Sequence, residues 1–308
     1  MIAAVAALLL AGVAVGFVLL RPSAPAEGAA PQGSAPEARL MALTNGKVST
    51  VRGETRDITG EACDRVYAAG STISCLRPVG VLKATELAVL DPQLREKKVV
   101  PLTGFPNRTR VSPSGRMVGW TLFVDGHSYA ANGFSTQTGI LDTETGTLVP
   151  SLEEFTATVD GKPHRAADTN YWGVTFIDDN RFYATMSTGG HRYLVEGDFA
   201  ARTVRALVDN VECPSLSPDG TRIAYKAAVD GDPQRGWRLS VMDLATSRVT
   251  PLSETRSVDD QAAWLDADTV AYAMQLPDGT NEIWTARADG TGSPVRLVVG
   301  ANSPVPLP

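Results

Sequence analysis

The sequence predicts an all-β protein, and three observations carry that expectation. Leu216-Ser217-Pro218-Asp219-Gly220 is a tight turn that feeds a short apolar strand, Arg222-Ile223-Ala224-Tyr225, because Pro218 pre-sets φ and Asp219-Gly220 tolerates the corner. After a polar break, Arg238 to Leu252 reads as a hairpin whose polar tip is Leu244 to Ser247. The same pair recurs in the same order, at Val111–Trp120 with Gly139–Pro150, and in weaker copies at Ile177–Asp198 and Trp264–Gly290. The tip aspartates Asp91, Asp142, Asp198, Asp243 and Asp289 stand 45 to 56 residues apart, the spacing of four-stranded propeller blades. One such sheet cannot bury its own faces, so the copies must stack.

Ser217-Pro218-Asp219-Gly220 paired with Met242-Asp243-Leu244-Ala245-Thr246 resembles the TolB-like, WD40-like family of β-propeller repeats. The resemblance runs over roughly residues 40–308 and is sharpest at Ser217–Leu252. It implies a six-bladed β-propeller, with five to seven blades compatible with the repeats, and a binding scaffold in the cell envelope. A propeller does not by itself specify function. The Ser-Pro-Asp-Gly turns are read as backbone geometry and carry no chemistry.

Met1 to Leu20 is an uninterrupted apolar run ended by Arg21; as a helix it spans about 30 Å, the hydrocarbon thickness of a bilayer. Two readings stand: a single-pass signal-anchor over 1–21, or a signal peptide cleaved near Ala26 in Ala24-Pro25-Ala26. No basic residue precedes the run, so the positive-inside rule does not orient it. Residues 22–39 are rich in Pro, Ala and Gly and read as a tether. The propeller, 40–308, is expected outside the cytoplasm.

Asn45-Gly46 joins two strands within Leu40–Val51, and no inner strand precedes them. Asn302-Ser303-Pro304-Val305 resembles Glu212-Cys213-Pro214-Ser215, the strand before the best repeat. The C-terminal segment is therefore expected to complete the first blade and close the ring. Glu86–Asp91 and Val99–Leu102 are outer strands of the second blade, with Lys97-Lys98 at the intervening tip. Insertions fall at Asp125–Phe134, Glu153–Thr169 (turning at Asp160-Gly161) and Asp230–Pro233. Loops of this kind carry propeller specificity, and His127 and Tyr129 are the candidate binding-loop residues.

Cys63 and Cys75 flank a hairpin turning near Ala69-Gly70; in an exported protein they read as a disulfide, the alternative being two buried thiols. Cys213 is left as a buried free thiol. A net charge of −6 without clustered Lys or Arg argues against nucleic-acid binding. No nucleophile elbow, phosphate loop, Cys-x-x-Cys or metal-ligand spacing occurs, and His127, His164 and His191 fall in three different repeat units. No catalytic residue, cofactor or metal is therefore assigned, and Asp230-x-Asp232 alone is too sparse for Ca²⁺. The expected function is a non-enzymatic, monomeric envelope propeller that binds a protein or wall-associated ligand. The alternative is a propeller hydrolase or lyase with a site assembled at the central channel.

Overall fold

The computed structural model describes residues 39–80, 84–124 and 135–307. The apolar run at 1–20, most of the tether, His127 and Tyr129 lie outside these residues. Among the described residues, no helix is long and apolar enough to cross a membrane.

The strands form six sheets, and the innermost strand of each lies against the innermost strand of the next around a closed ring. The protein is a six-bladed β-propeller. From the centre outwards, blade 1 is 301–306, 39–44, 47–52 and 55–62; blade 2 is 65–69, 72–79, 84–90 and 96–102. Blade 3 is 105–111, 117–124, 135–142 and 148–149; blade 5 is 212–216, 222–228, 237–243 and 249–251; blade 6 is 263–264, 269–275, 281–287 and 295–299. Blade 4 has the strands 170–176, 181–188, 191–198 and 203–208, then 156–159 and 162–164 on its outer edge.

The ring closes as the C-terminal residues suggest. Strand 301–306 runs antiparallel to 39–44, with Met41 opposite Val305 and Thr44 opposite Ala301, so the first blade is built from both ends of the described chain. Asn45 and Gly46 both have positive φ, 52° and 71°, the requirement of a two-residue turn matched to strand twist.

The core lies between blades rather than within them. Six apolar clusters each join two neighbouring blades. Strand 39–44 has buried residues on both faces because a blade flanks each side. The outer strand 55–62 has only exposed and half-buried residues because it forms the rim. The second residue of the second strand is Leu40, Val118, Phe182, Ile223 or Val270 in five blades, each 0% exposed, and Ile73 in blade 2 at 5%.

Two expectations need correction. Lys97 and Lys98 lie in the outer strand 96–102, not at the tip. Asp91 Oδ1 accepts the N–H groups of Gln93 and Arg95 at 2.9 and 3.0 Å, which closes the turn before the lysines. The segment Glu153–Thr169 is an extension of blade 4 rather than a mere loop. Its hairpin, turning at Asp160-Gly161, pairs in parallel with 203–208 and buries Ala157 in the seam with blade 3.

Candidate functional site

The innermost strand of each blade is an edge, with one row of backbone groups turned to the channel. That is why Pro106, Pro214 and Pro304 are tolerated in it. Three inner strands also carry a residue in the left-handed region: Gly173 at φ 66°, Cys213 at 51° and Ser303 at 52°. At each the pairing register shifts, as at a bulge. The likeness of Glu212-Cys213-Pro214 to Asn302-Ser303-Pro304 is thus a shared bulge.

Gln261 uses the carbonyls freed there. Its Nε2 donates to the oxygens of Gly173, Val174 and Pro214 at 3.1, 3.2 and 2.8 Å. From blade 3, Arg110 donates to the carbonyls of Gln261 and Ala262 at 3.3 and 2.6 Å. Arg108 donates to the Asp259 carbonyl at 3.1 Å. Blade 3 stands opposite blade 6 in a six-membered ring, so residues 259–262 bridge the channel and plug it.

Beside the plug opens a cavity of about 400 Å³, lined among others by Arg65, Arg108, Asp259, Asp260, Asn281 and Asn302. A chamber of about 20 Å³ shares Arg65, Arg108 and Asp260 with it and adds Arg110 and Gln261. Arg65 Nε and Arg108 Nη1 both donate to the Asn107 carbonyl, at 2.7 and 2.8 Å, which sets two guanidinium groups side by side. Burial, and then the charge of Arg108, pull Arg65 below the ordinary arginine value. Burial is the largest influence on Arg108 and works against its charge, but Asp260, Cys213 and Asp259 together outweigh it and the net shift is upward.

The remaining charges at this mouth are held by neighbours. Lys226, buried in blade 5, pairs with Asp259 and with Glu212 at 3.6 Å and stands 4.2 Å from the centre of the Trp237 ring. Burial opposes its charge, yet these carboxylates help to raise its pKa. Glu212, 3% exposed, also accepts from Trp237 Nε1 at 3.0 Å and pairs with Arg192 at 3.2 Å. A buried carboxylate needs such donors. Asp260 accepts the Ala273 N–H at 2.8 Å and lies 3.8 Å from Arg108.

The residues singled out from sequence are mostly elsewhere. Cys63 and Cys75 are joined by a disulfide with Cα atoms 5.5 Å apart. It ties the connector after blade 1 to the second strand of blade 2. One group of possible metal ligands among the described residues is Glu61, Cys63 and Cys75, and both sulfurs belong to the disulfide. Cys213 is free and buried at a channel bulge; burial pushes its thiol pKa up, against Lys226 and Arg108. Asp230 pairs with Arg235, and Asp232 caps Gln234 N at 2.9 Å. His164 and His191 share blade 4 instead of separate units, since the 162–164 strand folds back onto it. His164 bonds Thr188 at 3.0 Å and His191 bonds Asp209 at 2.6 Å.

The channel-mouth residues Arg65, Arg108, Lys226, Asp259 and Asp260 were not picked out from sequence. One signal was present: Asn107-Arg108-Thr109-Arg110 puts two arginines in a strand that the repeat places at the ring centre.

No family model matches the chain, and no curated protein matches it. Solved structures do. TolB from Acinetobacter baumannii aligns with TM-score 0.63 at 16% identity over 87% of this chain and 66% of that one. A chain of a nidogen/laminin complex aligns at 0.54 and 10% identity, over 85% of this chain and 92% of that one. An oligogalacturonate lyase in complex with manganese aligns at 0.52 and 10% identity, over 81% and 74%. This chain thus spans slightly less than two thirds of the Acinetobacter TolB chain. At these identities the likeness is one of fold: the chain is a six-bladed β-propeller with TolB-like propellers among its structural neighbours.

Proposed function

We propose that this chain is a non-enzymatic binding propeller of the cell envelope. Residues 1–20 attach it to the membrane, the propeller lies outside the cytoplasm as a monomer, and a protein ligand seats in the channel-mouth cavity. The observation that carries this reading is the cavity of about 400 Å³ against the plug. Asp259 and Asp260 are both engaged by neighbouring groups there, an arrangement suited to holding a ligand rather than to moving protons. The likeness in fold to TolB and to a chain of a protein–protein complex supports it.

The test is cross-linking of the full-length protein in intact cells through a photoreactive residue at Asn281, which lines the cavity. Labelling of one protein partner is expected. The likeness to a lyase supports a second reading, an enzyme at the same mouth. Turnover of oligogalacturonate by purified protein, lost in Asp260→Asn, would replace the binding reading with that one.

A further inference from the structure

We propose that the channel mouth receives the free C-terminal carboxylate of a peptide chain, seated between Arg65 and Arg108. The proposal rests on the binding reading above and names the ligand's chemistry.

The first argument is charge. Two guanidinium groups share one carbonyl acceptor, Asn107 O, at 2.7 and 2.8 Å, so like charges stand together. Asp260, 3.8 Å from Arg108, gives its other oxygen to the Ala273 N–H, and Asp259 is taken by Lys226. Among the described residues no carboxylate lies within ion-pair distance of Arg65, although Asp260, Asp64 and Asp259 act on it from further away. Arg108 is 8% exposed, its Nε is buried, and its Nη1 and Nη2 donate to the Asn107 and Asp259 carbonyls, so it supplies positive charge at the mouth. Arg65 spends Nε on the Asn107 carbonyl and Nη1 on the Asp64 carbonyl at 2.9 Å, which leaves Nη2 to donate to an anion lodged beside the pair, a charge-assisted bond.

The second argument is shape. Gln261 and Arg110 close the channel, so an extended chain cannot thread through and must stop at the plug. A chain that stops there presents its end.

The third argument is selection. Asp259 and Asp260 flank the pair and disfavour a dianion such as phosphate. No aromatic ring is among the described residues lining the cavity, which leaves no stacking platform for a sugar ring. Gln275, Asn281 and Asn302 instead offer amides to a peptide backbone.

The experiment is calorimetric titration of the purified full-length protein with a randomised N-acetyl-hexapeptide pool bearing free C-terminal carboxylates, and with the same pool amidated. The acid pool is expected to bind about tenfold tighter than the amide pool. Arg65→Gln should bring the ratio close to one while keeping the unliganded melting temperature within about 1–2 °C of wild type, and Arg65→Lys should keep part of the preference. Equal binding of both pools overturns the carboxylate assignment and leaves a peptide-binding mouth standing. Binding of neither pool overturns it too; whether the mouth meets a protein at all is then read separately from the Asn281 cross-link. Binding of trigalacturonate at this site with neither peptide pool bound overturns it in favour of a sugar acid.

Discussion

The seams between blades and the channel at their centre are built on opposite terms. At the seams, Val118, Phe182, Ile223 and Val270 occupy one repeat position and are all fully buried, because each must meet the next blade in the same way. At the channel the equivalent strands share a backbone and no chemistry. Arg65 and Arg108 stand in two of them, Cys213 in a third, and blade 6 contributes only Ala263-Trp264. A seam residue is constrained by two packed surfaces. A channel residue faces open space on one side and is free to differ. The repeat therefore specifies the scaffold, and departures from it specify the site.

That contrast can be broken most severely at the closure. Deleting residues 300–308 removes Val305, 0% exposed, and strips blade 1 of its inner strand. The melting temperature should fall by more than roughly 10 °C, several kcal/mol on this scale of chain length. An unchanged value would show that the ring does not depend on the C-terminal strand. Next comes a seam: Trp120→Ala empties a site 1% exposed between blades 2 and 3. Urea unfolding should report a loss of about 3–5 kcal/mol. Replacing both Cys63 and Cys75 with serine releases a link spanning 12 residues, with an expected loss of about 3 kcal/mol from loop-closure entropy.

A smaller, pH-dependent effect belongs to Glu254 in the connector between blades 5 and 6. Burial disfavours its charge, but the Arg256 guanidinium and N–H and the Tyr272 hydroxyl outweigh this and hold its pKa at about 2, below the ordinary 4.5. A carboxylate with a lowered folded-state pKa stabilises fully above its unfolded value and loses that contribution as pH falls towards 2. The stability difference between the wild type and Glu254→Gln should be present at pH 7 and narrow between pH 5 and pH 2. A difference that stays constant over that range would remove the ion pair from the account. Least affected should be Arg65→Gln at the channel mouth, with a melting temperature within about 1–2 °C of wild type, since it empties no seam.

The outline of the scaffold was legible in the residues. Asn45-Gly46 marks its hairpin because few residues other than glycine and asparagine accept φ > 0. Asn302-Ser303-Pro304 could be matched to Glu212-Cys213-Pro214 because both encode a bulged edge strand. The blade 4 extension was less legible. Thr156–Val159 is only four residues long, and its parallel pairing with 203–208 is a long-range choice with no local signature. Of the mouth, only the two arginines of Asn107-Arg108-Thr109-Arg110 were legible. Asp259 lies 151 residues from Arg108, and no spacing rule connects a connector residue of blade 6 to a strand of the blade opposite.

Period, turn chemistry and apolar alternation are local quantities, and they determined the all-β class, the hairpins and the strand that closes the ring. The number of blades in that ring, the plug across it and the pairing of Arg65 with Arg108 were decided only in three dimensions. Each depends on how far one sheet rotates against the next, and that rotation alone brings residues of different blades to one point.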